Sequence, residues 1–221
     1  VLREGVFEPN SPVVERRCRP PLRGDHRRIR VNYFGFDLER FQPGEAAELR
    51  SEWGLEPDHH AFAVVGAYDL PRGKGQREFL EAAARIHQRF PRARFLMVGR
   101  GSLRGQLEAD IERLGLRGKA WLTPYCLDMP KAMNAIDCLV HPQVGTEALG
   151  GVLLEAYACG RPVIASDLDG IPEAFGVGNW GQLVRPGAVD QLAAAMGDWA
   201  TRPPLDLAAR QALHDRVEAV F

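Results

Sequence analysis

The sequence lacks any apolar run that approaches the roughly 20 residues needed to cross a membrane as a helix, and no signal-peptide pattern opens it. Charge of neither sign dominates, since 28 Lys and Arg residues face 29 Asp and Glu residues and the net charge is −1. The basic excess that is typical of nucleic-acid-binding proteins is therefore missing. Internal repeats and low-complexity tracts are also absent. We expect a soluble, cytoplasmic protein without a nucleic-acid partner.

Cysteine is scarce, and its spacing fits no metal or redox site. Cys18, Cys126, Cys138 and Cys159 are separated by 108, 12 and 21 residues, whereas zinc ligands and redox pairs recur at short intervals. Cys138 and Cys159 fall within apolar runs and are interpreted as small core residues. This use of cysteine agrees with a reducing compartment, and no metal ligand set is predicted from it.

The length sets limits on the domain organisation. A chain of 221 residues can bury roughly 70 % of its unfolded surface, which is enough for a sizeable core. Residues 1–28 carry four prolines and seven arginines without helical or strand periodicity. We interpret this segment as a linker or as the remnant of a preceding domain. Residues 29–221 are predicted to form one domain.

From residue 29 onward, apolar strand-like runs alternate with helical patterns. The predicted strands are Ala61–Tyr68, Arg94–Gly99, Ala120–Tyr125, Asp137–Pro142, Pro162–Asp167 and Gln182–Arg185. The predicted helices are Gln76–Arg89, Leu103–Leu114, Met129–Ala135, Gly151–Cys159, Val189–Ala200 and Leu207–Val220. This alternation predicts an α/β fold, a Rossmann-like doubly wound parallel sheet with helices on both faces. Ligands bind such a sheet at the carboxyl ends of its strands.

Two glycine-bearing loops fit known phosphate-binding patterns only in part. In GRGSLRG, residues 99–105, the third glycine comes one residue late for a dinucleotide fingerprint, and the next strand offers no acidic residue. In DLPRGKGQ, residues 69–76, the Walker pattern fails at two positions. Lys74 and Arg72 nevertheless lie in a loop after the first strong strand. They either bind an anion or are solvated basic residues.

A third stretch, TEALGGVLLEAYACGRPVIAS at residues 146–166, places two glycines and two glutamates at a predicted helix start. Gly150 and Gly151 let backbone N–H groups approach an anion at the positive end of the helix dipole. Glu155 lies one turn deeper, where its carboxylate can accept hydrogen bonds from two adjacent hydroxyls. Glu147 lies in the loop before the helix, where it can contact a second polyhydroxyl group of the ligand, on the other side of the phosphates. The spacing suits a sugar, a diphosphate and a ribose in a row, but two surface glutamates explain it equally well.

Residues 146–173, which extend this stretch to GIPE, resemble the signature of the retaining glycosyltransferases of group 1. That family includes sucrose synthase, glycogen synthase and bacterial mannosyltransferases, and its signature has two glutamates with seven residues between them before Ala-Cys-Gly-x-Pro-Val-Ile. Further similar segments follow the family order. They are NYFGFDLERFQP at residues 32–43, VVGAYDLPRGKGQREFLEAAARI at 64–86, FLMVGRGSLRGQLEADIERLGL at 95–116 and LVRPGAVDQLAAAM at 183–196.

The resemblance implies the GT-B fold, in which two Rossmann-like domains face a cleft. The first domain holds the acceptor and the second holds the nucleotide sugar. By this resemblance the chain is the C-terminal, donor-binding domain, and the N-terminal acceptor domain is missing. The complete enzyme transfers a sugar to a glycan, lipid or small-molecule acceptor with retention of configuration. The isolated domain is expected to have little activity, and the missing domain is expected to bring the enzyme to the inner face of the membrane.

Residue roles follow from the same resemblance. Lys74 neutralises the donor diphosphate, and Glu147 holds the donor-sugar hydroxyls, so these two form the catalytic set. Glu155 is assigned to the ribose. The complete donor-binding set comprises Arg72, Gly150, Gly151, Val152, Glu155, Tyr125 and His141. No metal and no cofactor are implied, because the nucleotide sugar is a substrate.

The chain departs from the family pattern at two positions. Ala67 stands where the family has an arginine beside the lysine, and we hypothesise that Arg72 supplies the missing cation. Asp169 stands where glycine is usual, so that DLD imitates the Asp-x-Asp metal motif of the other glycosyltransferase fold. Because Asp169 precedes a helix with Pro172 in its first turn, it is predicted to cap that helix.

Several aromatic residues and histidines stay ambiguous at the level of sequence. His141 ends a predicted strand and is either a core residue or a cleft residue that contacts the donor. Tyr125 either stacks on the nucleotide base or is buried. The remaining histidines, which are expected at the surface or in loops, are His26, His59, His60, His87 and His214. The choice among UDP, GDP and ADP stays open.

Two alternatives to a transferase remain. A non-catalytic module that binds a nucleotide sugar agrees with the missing arginine at Ala67. A nucleotide-sugar epimerase shares the two-domain fold but requires a different arrangement of carboxylates and histidine.

Overall fold

The computed structural model describes Gly35, residues 37–69 and residues 73–220, together with the backbone of two short strands before them. The predictions for Arg72, Cys18 and His26, and the segment boundary at residue 28, lie outside the described residues. None of the helices within the described part is long and apolar enough to cross a membrane.

Strands and helices alternate along the described chain. Its strands are β1 (Leu2–Arg3), β2 (Val6–Phe7), β3 (His60–Val65), β4 (Ala93–Val98), β5 (Ala120–Leu122), β6 (Cys138–His141), β7 (Val163–Ser166) and β8 (Gly181–Val184). Its helices are α1 (Ala47–Glu52), α2 (Gln76–Ile86), α3 (Arg104–Arg113), α4 (Met129–Ala135), α5 (Gly151–Ala158), α6 (Ile171–Gly178), α7 (Val189–Ala200) and α8 (Leu207–Glu218). β1 and β2 pair antiparallel with each other.

Strands β3 to β8 form one parallel sheet in the order β5-β4-β3-β6-β7-β8. The chain winds outward from β3 through β4 and β5, and then crosses back to place β6 on the other side of β3. Counted from β3, this is the 3-2-1-4-5-6 order of doubly wound dinucleotide-binding folds. The predicted fold class is confirmed. The point where the winding reverses lies between β3 and β6, and a crevice forms there at the carboxyl ends of the strands.

The sheet is buried on both faces, and the alternation along β3 shows how. Ala61, Ala63 and Val65 pack in the layer that contains residues of α1, α4, α5, α6 and α8. Phe62 and Val64 pack in the opposite layer with α2, α3 and α7. All five side chains are at most 5 % exposed. Because both faces need apolar side chains, the strand is a continuous apolar run, which is why it could be predicted from the sequence.

Two short helices depart from the predicted pattern. α1 was not predicted, and it is only six residues long, without a side-chain hydrogen bond at its N-cap. α6 was foreseen only as a helix start around Pro172. It carries two glycines within eight residues and ends at Asn179, which adopts a left-handed conformation. Such sequences carry weak helical signals, so packing on the sheet decides their structure.

Burial of cysteine was predicted correctly, and burial of histidine was not. Cys138 and Cys159 are fully buried, as expected of small core residues. His59 is only 8 % exposed but lies in the loop before β3, which agrees with the expected surface or loop position. His214 is 6 % exposed within α8, so its expected position was wrong. The Nδ1 atom of His214 lies 2.7 Å from the carbonyl oxygen of Ala158 in the last turn of α5. A hydrogen bond to a backbone carbonyl satisfies a polar atom of the imidazole and so reduces the free-energy cost of burying it.

The glycines of GRGSLRG are explained by the packing of the backbone. A Cβ atom at Gly99 would lie 2.2 Å from the carbonyl oxygen of Gly66, and one at Gly101 would lie 2.4 Å from the carbonyl carbon of Tyr68. The loops after β3 and β4 therefore touch backbone to backbone. Gly105 lies in α3, and a Cβ atom there would meet no atom within 4 Å.

Because of this difference, substitution by alanine at Gly101 and at Gly105 should change the free energy of unfolding in opposite directions. Gly105→Ala should raise the free energy of unfolding by about 0.5–1 kcal/mol, because alanine restricts the unfolded chain and favours a helix. Gly101→Ala should lower it by about 1–3 kcal/mol, because the backbone of Tyr68 must move. Urea denaturation of both variants measures the difference, and equal effects would contradict the backbone contact.

Candidate functional site

The predicted catalytic residues lie at the point where the winding of the sheet reverses. Lys74 lies in the loop between β3 and α2, and Glu147 lies in the loop between β6 and α5. His141 is the last residue of β6. Since β3 and β6 are hydrogen-bonded neighbours, their carboxyl ends bring these loops together.

Lys74 and Glu147 form an ion pair although 73 positions separate them. The Nζ atom of Lys74 donates to the Oε2 atom of Glu147 over 2.7 Å. The Lys74 side chain is 35 % exposed and that of Glu147 is 17 % exposed. The structure thus brings both predicted catalytic residues into direct contact at the edge of the crevice.

His141 is buried, and it also faces the ion pair. The residue is 1 % exposed, and its Nε2 atom lies 3.6 Å from the Oε2 atom of Glu147. Neither ring nitrogen has a hydrogen-bond partner among the described residues. His141 is therefore a core residue whose ring borders the ion pair, and its contact with a donor stays a prediction.

The carboxyl group of Glu147 is strongly acidic. The His141 ring and the Lys74 ammonium group lower its pKa from 4.5 to about 2, while partial burial acts in the opposite direction. Glu147 is therefore ionised at neutral pH, and it is a hydrogen-bond acceptor rather than a proton donor.

The loop that carries Glu147 is held by a residue whose role the sequence analysis assigned wrongly. The Asp169 carboxylate accepts a hydrogen bond from the backbone N–H of Glu147 over 3.1 Å. Asp169 is not the N-cap residue of α6, since Gly170 occupies that position. A positive φ of 51° turns Asp169 back toward the preceding loop. Its unusual position was visible in the sequence, but the direction of its side chain was not.

The loop that carries Lys74 is held by Gln76, which the sequence analysis missed. Gln76 is 1 % exposed. Its Oε1 atom accepts from the backbone N–H of Lys74 over 2.7 Å, and its Nε2 atom donates to the carbonyl oxygen of Ala67 over 3.4 Å. Next to it, Gly75 has a φ of 85°, and a Cβ atom there would lie 2.0 Å from the carbonyl oxygen of Pro142. The loop is thereby fixed against the end of β6.

The N-terminus of α5 opens onto the same crevice. Gly150 is the N-cap residue and has a φ of 77°, a conformation that favours glycine. Gly151 is exposed, and a Cβ atom there would meet no atom within 4 Å. Val152, the second residue of the helix, is half-buried. The first amides of a helix lack intrahelical acceptors, so this turn offers hydrogen-bond donors to an anion.

Glu155 lies one turn further along α5, as predicted. It is half-buried. Burial raises the pKa of its carboxyl group, and the positive charge of Arg40 opposes that shift in part. A ligand that donates hydrogen bonds to this carboxylate would stabilise its charged form.

Tyr125 is exposed at 53 %, so the alternative of a buried tyrosine was wrong. The guanidinium carbon of Arg100 lies 4.7 Å from the centre of the Tyr125 ring. This cation–π contact fixes an aromatic surface beside the carboxyl ends of β4 and β5.

One group of potential metal ligands occurs among the described residues, and it lies away from the ion pair. Glu56, Asp58 and His59 place their ligand atoms within 4.8 Å of one another just before β3, at the amino ends of the strands. Within the described part of the chain, Asp167 and Asp169 belong to no group of three potential metal ligands.

The low pKa of Glu147 predicts how the stability depends on pH. Because the folded pKa lies below the ordinary value, the stabilisation is complete above about pH 5 and is lost as the pH falls toward 2. Glu147→Gln should lower the free energy of unfolding at neutral pH by on the order of 1 kcal/mol, since solvent partly screens Lys74. Urea denaturation from neutral to acid pH should show this difference shrinking.

Glu81→Gln provides the control, since Glu81 is exposed on α2. A difference between Glu147→Gln and the unmodified protein that persists unchanged at low pH would contradict the assignment.

Comparison with known proteins identifies the family. Residues 59–202 match the family described as Glycosyl transferases group 1. The D-inositol 3-phosphate glycosyltransferase of Mycobacterium marinum is 33 % identical over 181 residues, which are 79 % of this chain and 37 % of that protein. The phosphatidyl-myo-inositol mannosyltransferase of Mycobacterium tuberculosis is 39 % identical over 173 residues, which are 74 % and 42 % of the two chains. The chain spans about two fifths of the length of these relatives.

Solved structures share the fold. Sucrose-phosphate synthase from Thermosynechococcus elongatus matches with a TM-score of 0.81 at 26 % identity, over 99 % of this chain and 55 % of that chain. Anabaena HepE, in complex with UDP and glucose, matches with a TM-score of 0.79 at 24 % identity, over 97 % and 57 %. The chain belongs to the group 1 glycosyltransferases and has the Rossmann-like fold of one half of a GT-B enzyme.

Proposed function

We propose that this chain is the donor-binding domain of a retaining glycosyltransferase, which transfers a sugar from a nucleotide diphosphate sugar to an acceptor. The observation that carries the proposal is the contact between Lys74 and Glu147 beside the N-terminus of α5. A cation, a set of free helix amides and an ionised carboxylate meet there. Diphosphate binding needs the first two, and binding of sugar hydroxyls needs the third.

The diphosphate lies between Lys74 and the first turn of α5. Gly150 and Gly151 leave the helix amides uncovered, so the phosphate oxygens can approach them closely. As the bond to the sugar breaks, negative charge grows on the leaving diphosphate. A fixed ammonium group and a helix N-terminus stabilise this charge, which lowers the barrier.

The sugar lies over Glu147 and the ribose over Glu155. Glu147 is ionised because of its low pKa, so it accepts hydrogen bonds from sugar hydroxyls. Glu155 is partly desolvated and gains hydrogen-bond donors from the two ribose hydroxyls. The base stacks on Tyr125, whose ring is exposed at the ends of the strands.

Arg72 supplies the second positive charge. Ala67 is exposed at the end of β3 and carries no charge where the family has an arginine. Arg72 lies two residues before Lys74 in the sequence. Transfer needs neither metal nor cofactor in this proposal, because Lys74, Arg72 and the helix N-terminus balance the diphosphate charge.

The acceptor is held by a separate N-terminal domain in the full-length protein, which is cytoplasmic and acts at the inner face of the membrane. Support comes from the relatives, which are more than twice as long as the match and whose names include inositol phosphate and phosphatidylinositol acceptors. A small polar or lipid-linked acceptor is therefore proposed. Configuration is proposed to be retained by attack of the acceptor from the face that the diphosphate leaves.

Titration of the chain with UDP-, GDP- and ADP-sugars tests the donor site. We expect one nucleotide to raise the thermal midpoint, and Lys74→Ala to weaken its binding by about 10- to 100-fold, because a charge-assisted contact is lost. Lys131→Ala is the matched control, since Lys131 is similarly exposed at 40 % and pairs with Glu48 on another surface. EDTA should have no effect on binding. Equal losses in both lysine variants would contradict the proposal.

The donor affinity of Arg72→Ala tests whether Arg72 contributes to binding of the diphosphate in addition to Lys74. If Arg72 replaces the arginine missing at Ala67, the variant should bind the donor about tenfold more weakly. Unchanged affinity in Arg72→Ala, with a loss in Lys74→Ala, would assign the diphosphate to Lys74 and the helix alone.

Activity separates a transferase from a binding module. In the full-length protein, Glu147→Ala should abolish glycosyl transfer while the nucleotide diphosphate still binds. Donor binding without transfer in the unmodified full-length protein would favour the non-catalytic module.

A further inference from the structure

Besides the crevice at Lys74 and Glu147, the protein has a cavity at the other end of the strands, which is called the second cavity below. Its volume is about 400 Å³, and it opens between α1, the end of α4 and the start of α8. Three arginines line it, Arg50, Arg161 and Arg210, together with Asn134. Arg161 lies two residues before the first residue of β7, so the cavity lies at the amino ends of the strands.

The arginines of this cavity are unusually buried. Arg161 is 6 % exposed and Arg210 is 9 % exposed, and the Arg50 side chain is 17 % exposed. Burial, together with the positive charge of Arg210, lowers the pKa of Arg161 to about 10. Guanidinium groups are rarely buried unless they are paired, so their partners decide what the cavity does.

Part of their hydrogen-bonding capacity is used to hold helix ends. Arg50 donates to the carbonyl oxygen of Ala135 over 2.9 Å, and Arg161 donates to that of Asn134 over 2.6 Å. Arg210 donates to the carbonyl oxygen of Cys159 over 3.2 Å and also to the side chain of Asn134. These contacts stabilise the carboxyl ends of α4 and α5.

Further donors of Arg50 and Arg210 bind the carbonyl oxygens of His59 and Gly44, but two buried donors of the cluster have no such partner in the described part of the chain. The Nε atoms of Arg161 and Arg210 are both buried, and neither has a hydrogen-bond partner among the described residues. Buried donors of this kind are uncommon in native proteins and call for a partner.

The charge is also unbalanced. Asp137 is the buried carboxylate of this cluster, 3.1 Å from Arg50 and 3.8 Å from Arg161. Glu45 lines the mouth of the cavity but is exposed, so solvent screens it. The helix ends contribute about half a negative charge each. Three guanidinium groups therefore retain an excess of positive charge.

We propose that this cavity binds a phosphate group, either as free phosphate or on a small phosphorylated molecule. A guanidinium group presents a planar fork of donors that matches phosphate, and it is weakly hydrated, which suits a buried site. A phosphate monoester carries a charge of about −1.5 to −2 at neutral pH, so it is attracted by the excess of positive charge. The cavity volume falls within the range of small-molecule sites. The length of the strands separates this site, at their amino ends, from the proposed donor site at their carboxyl ends.

A purely structural role for the arginines makes a different prediction. If they only tie the ends of α4 and α5 together, they contribute to stability, and no anion binds in the cavity. Variants that keep all three arginines but add a negative charge to the wall of the cavity distinguish the two roles.

The test is a thermal-unfolding titration of the 221-residue chain with inorganic phosphate at constant ionic strength. Ala47→Glu places a carboxylate at an exposed position that lines the cavity. Because a glutamate in the first turn of α1 suits the helix dipole, folding should be preserved. Ala194→Glu is the matched control, exposed on α7 in the opposite layer of the sheet. Ser51→Glu, also exposed and lining the cavity, is a second test variant.

We expect phosphate to raise the thermal midpoint in a saturable manner in the unmodified chain, in Ala194→Glu and in Lys74→Ala. In Ala47→Glu and Ser51→Glu the apparent Kd should rise by about tenfold or more, because like charges repel in the cavity. Equal responses in Ala47→Glu and Ala194→Glu would overturn the proposal. So would loss of the response in Lys74→Ala, which would place the phosphate at the carboxyl ends of the strands.

Glucose 6-phosphate distinguishes the two sources of the phosphate group. Tighter binding than that of inorganic phosphate, weakened by Ala47→Glu, supports a phosphorylated small molecule. Equal affinities, weakened in the same way, support free phosphate.

Discussion

The reversal of winding between β3 and β6 is the constraint on which the rest of the molecule depends. It makes two strands hydrogen-bonded neighbours although a long stretch of chain lies between them, and their following loops must share the same space. The contact of Gly75 with the carbonyl oxygen of Pro142 shows how little room is left. Because the backbones touch, a lysine from one loop and a glutamate from the other reach each other across the crevice.

Charge is distributed along α5 in agreement with the direction of its dipole. The N-terminus, beginning at Gly151, faces the ion pair of Lys74 and Glu147. The C-terminal carbonyl groups face the buried guanidinium group of Arg210. One short helix therefore links the carboxyl and amino ends of the strands, with amides that lack intrahelical acceptors at one end and arginine-bound carbonyls at the other.

Much of the fold could be predicted from the sequence because the strands are buried on both faces. The residues of β3 must be apolar throughout, and a continuous apolar run between helices is easily recognised. The identities of Lys74, Glu147 and Glu155 followed from the resemblance of their segments to a family. Their spacing alone left surface glutamates equally plausible, since spacing does not reveal which side of a loop faces a ligand.

The contacts that tie the sites together could not be predicted, because they depend on distant segments and on single dihedral angles. Gln76 supports Lys74 only because its side chain turns back into the loop. Asp169 was mistaken for a helix cap because its sequence position suits both roles, and its positive φ decides between them. The arginines of the second cavity come from three helices or strand ends far apart in sequence, and no local pattern connects them.

The ion pair between Lys74 and Glu147 has a consequence for selectivity. An anion that binds Lys74 competes with a carboxylate that already satisfies it, so a bare phosphate gains little by displacing Glu147. A ligand that also carries hydroxyl groups next to its phosphates compensates the released carboxylate with new hydrogen bonds. If the proposed donor site is correct, the pair acts as an internal competitor and favours ligands in which an anion and hydroxyl donors are joined in one molecule.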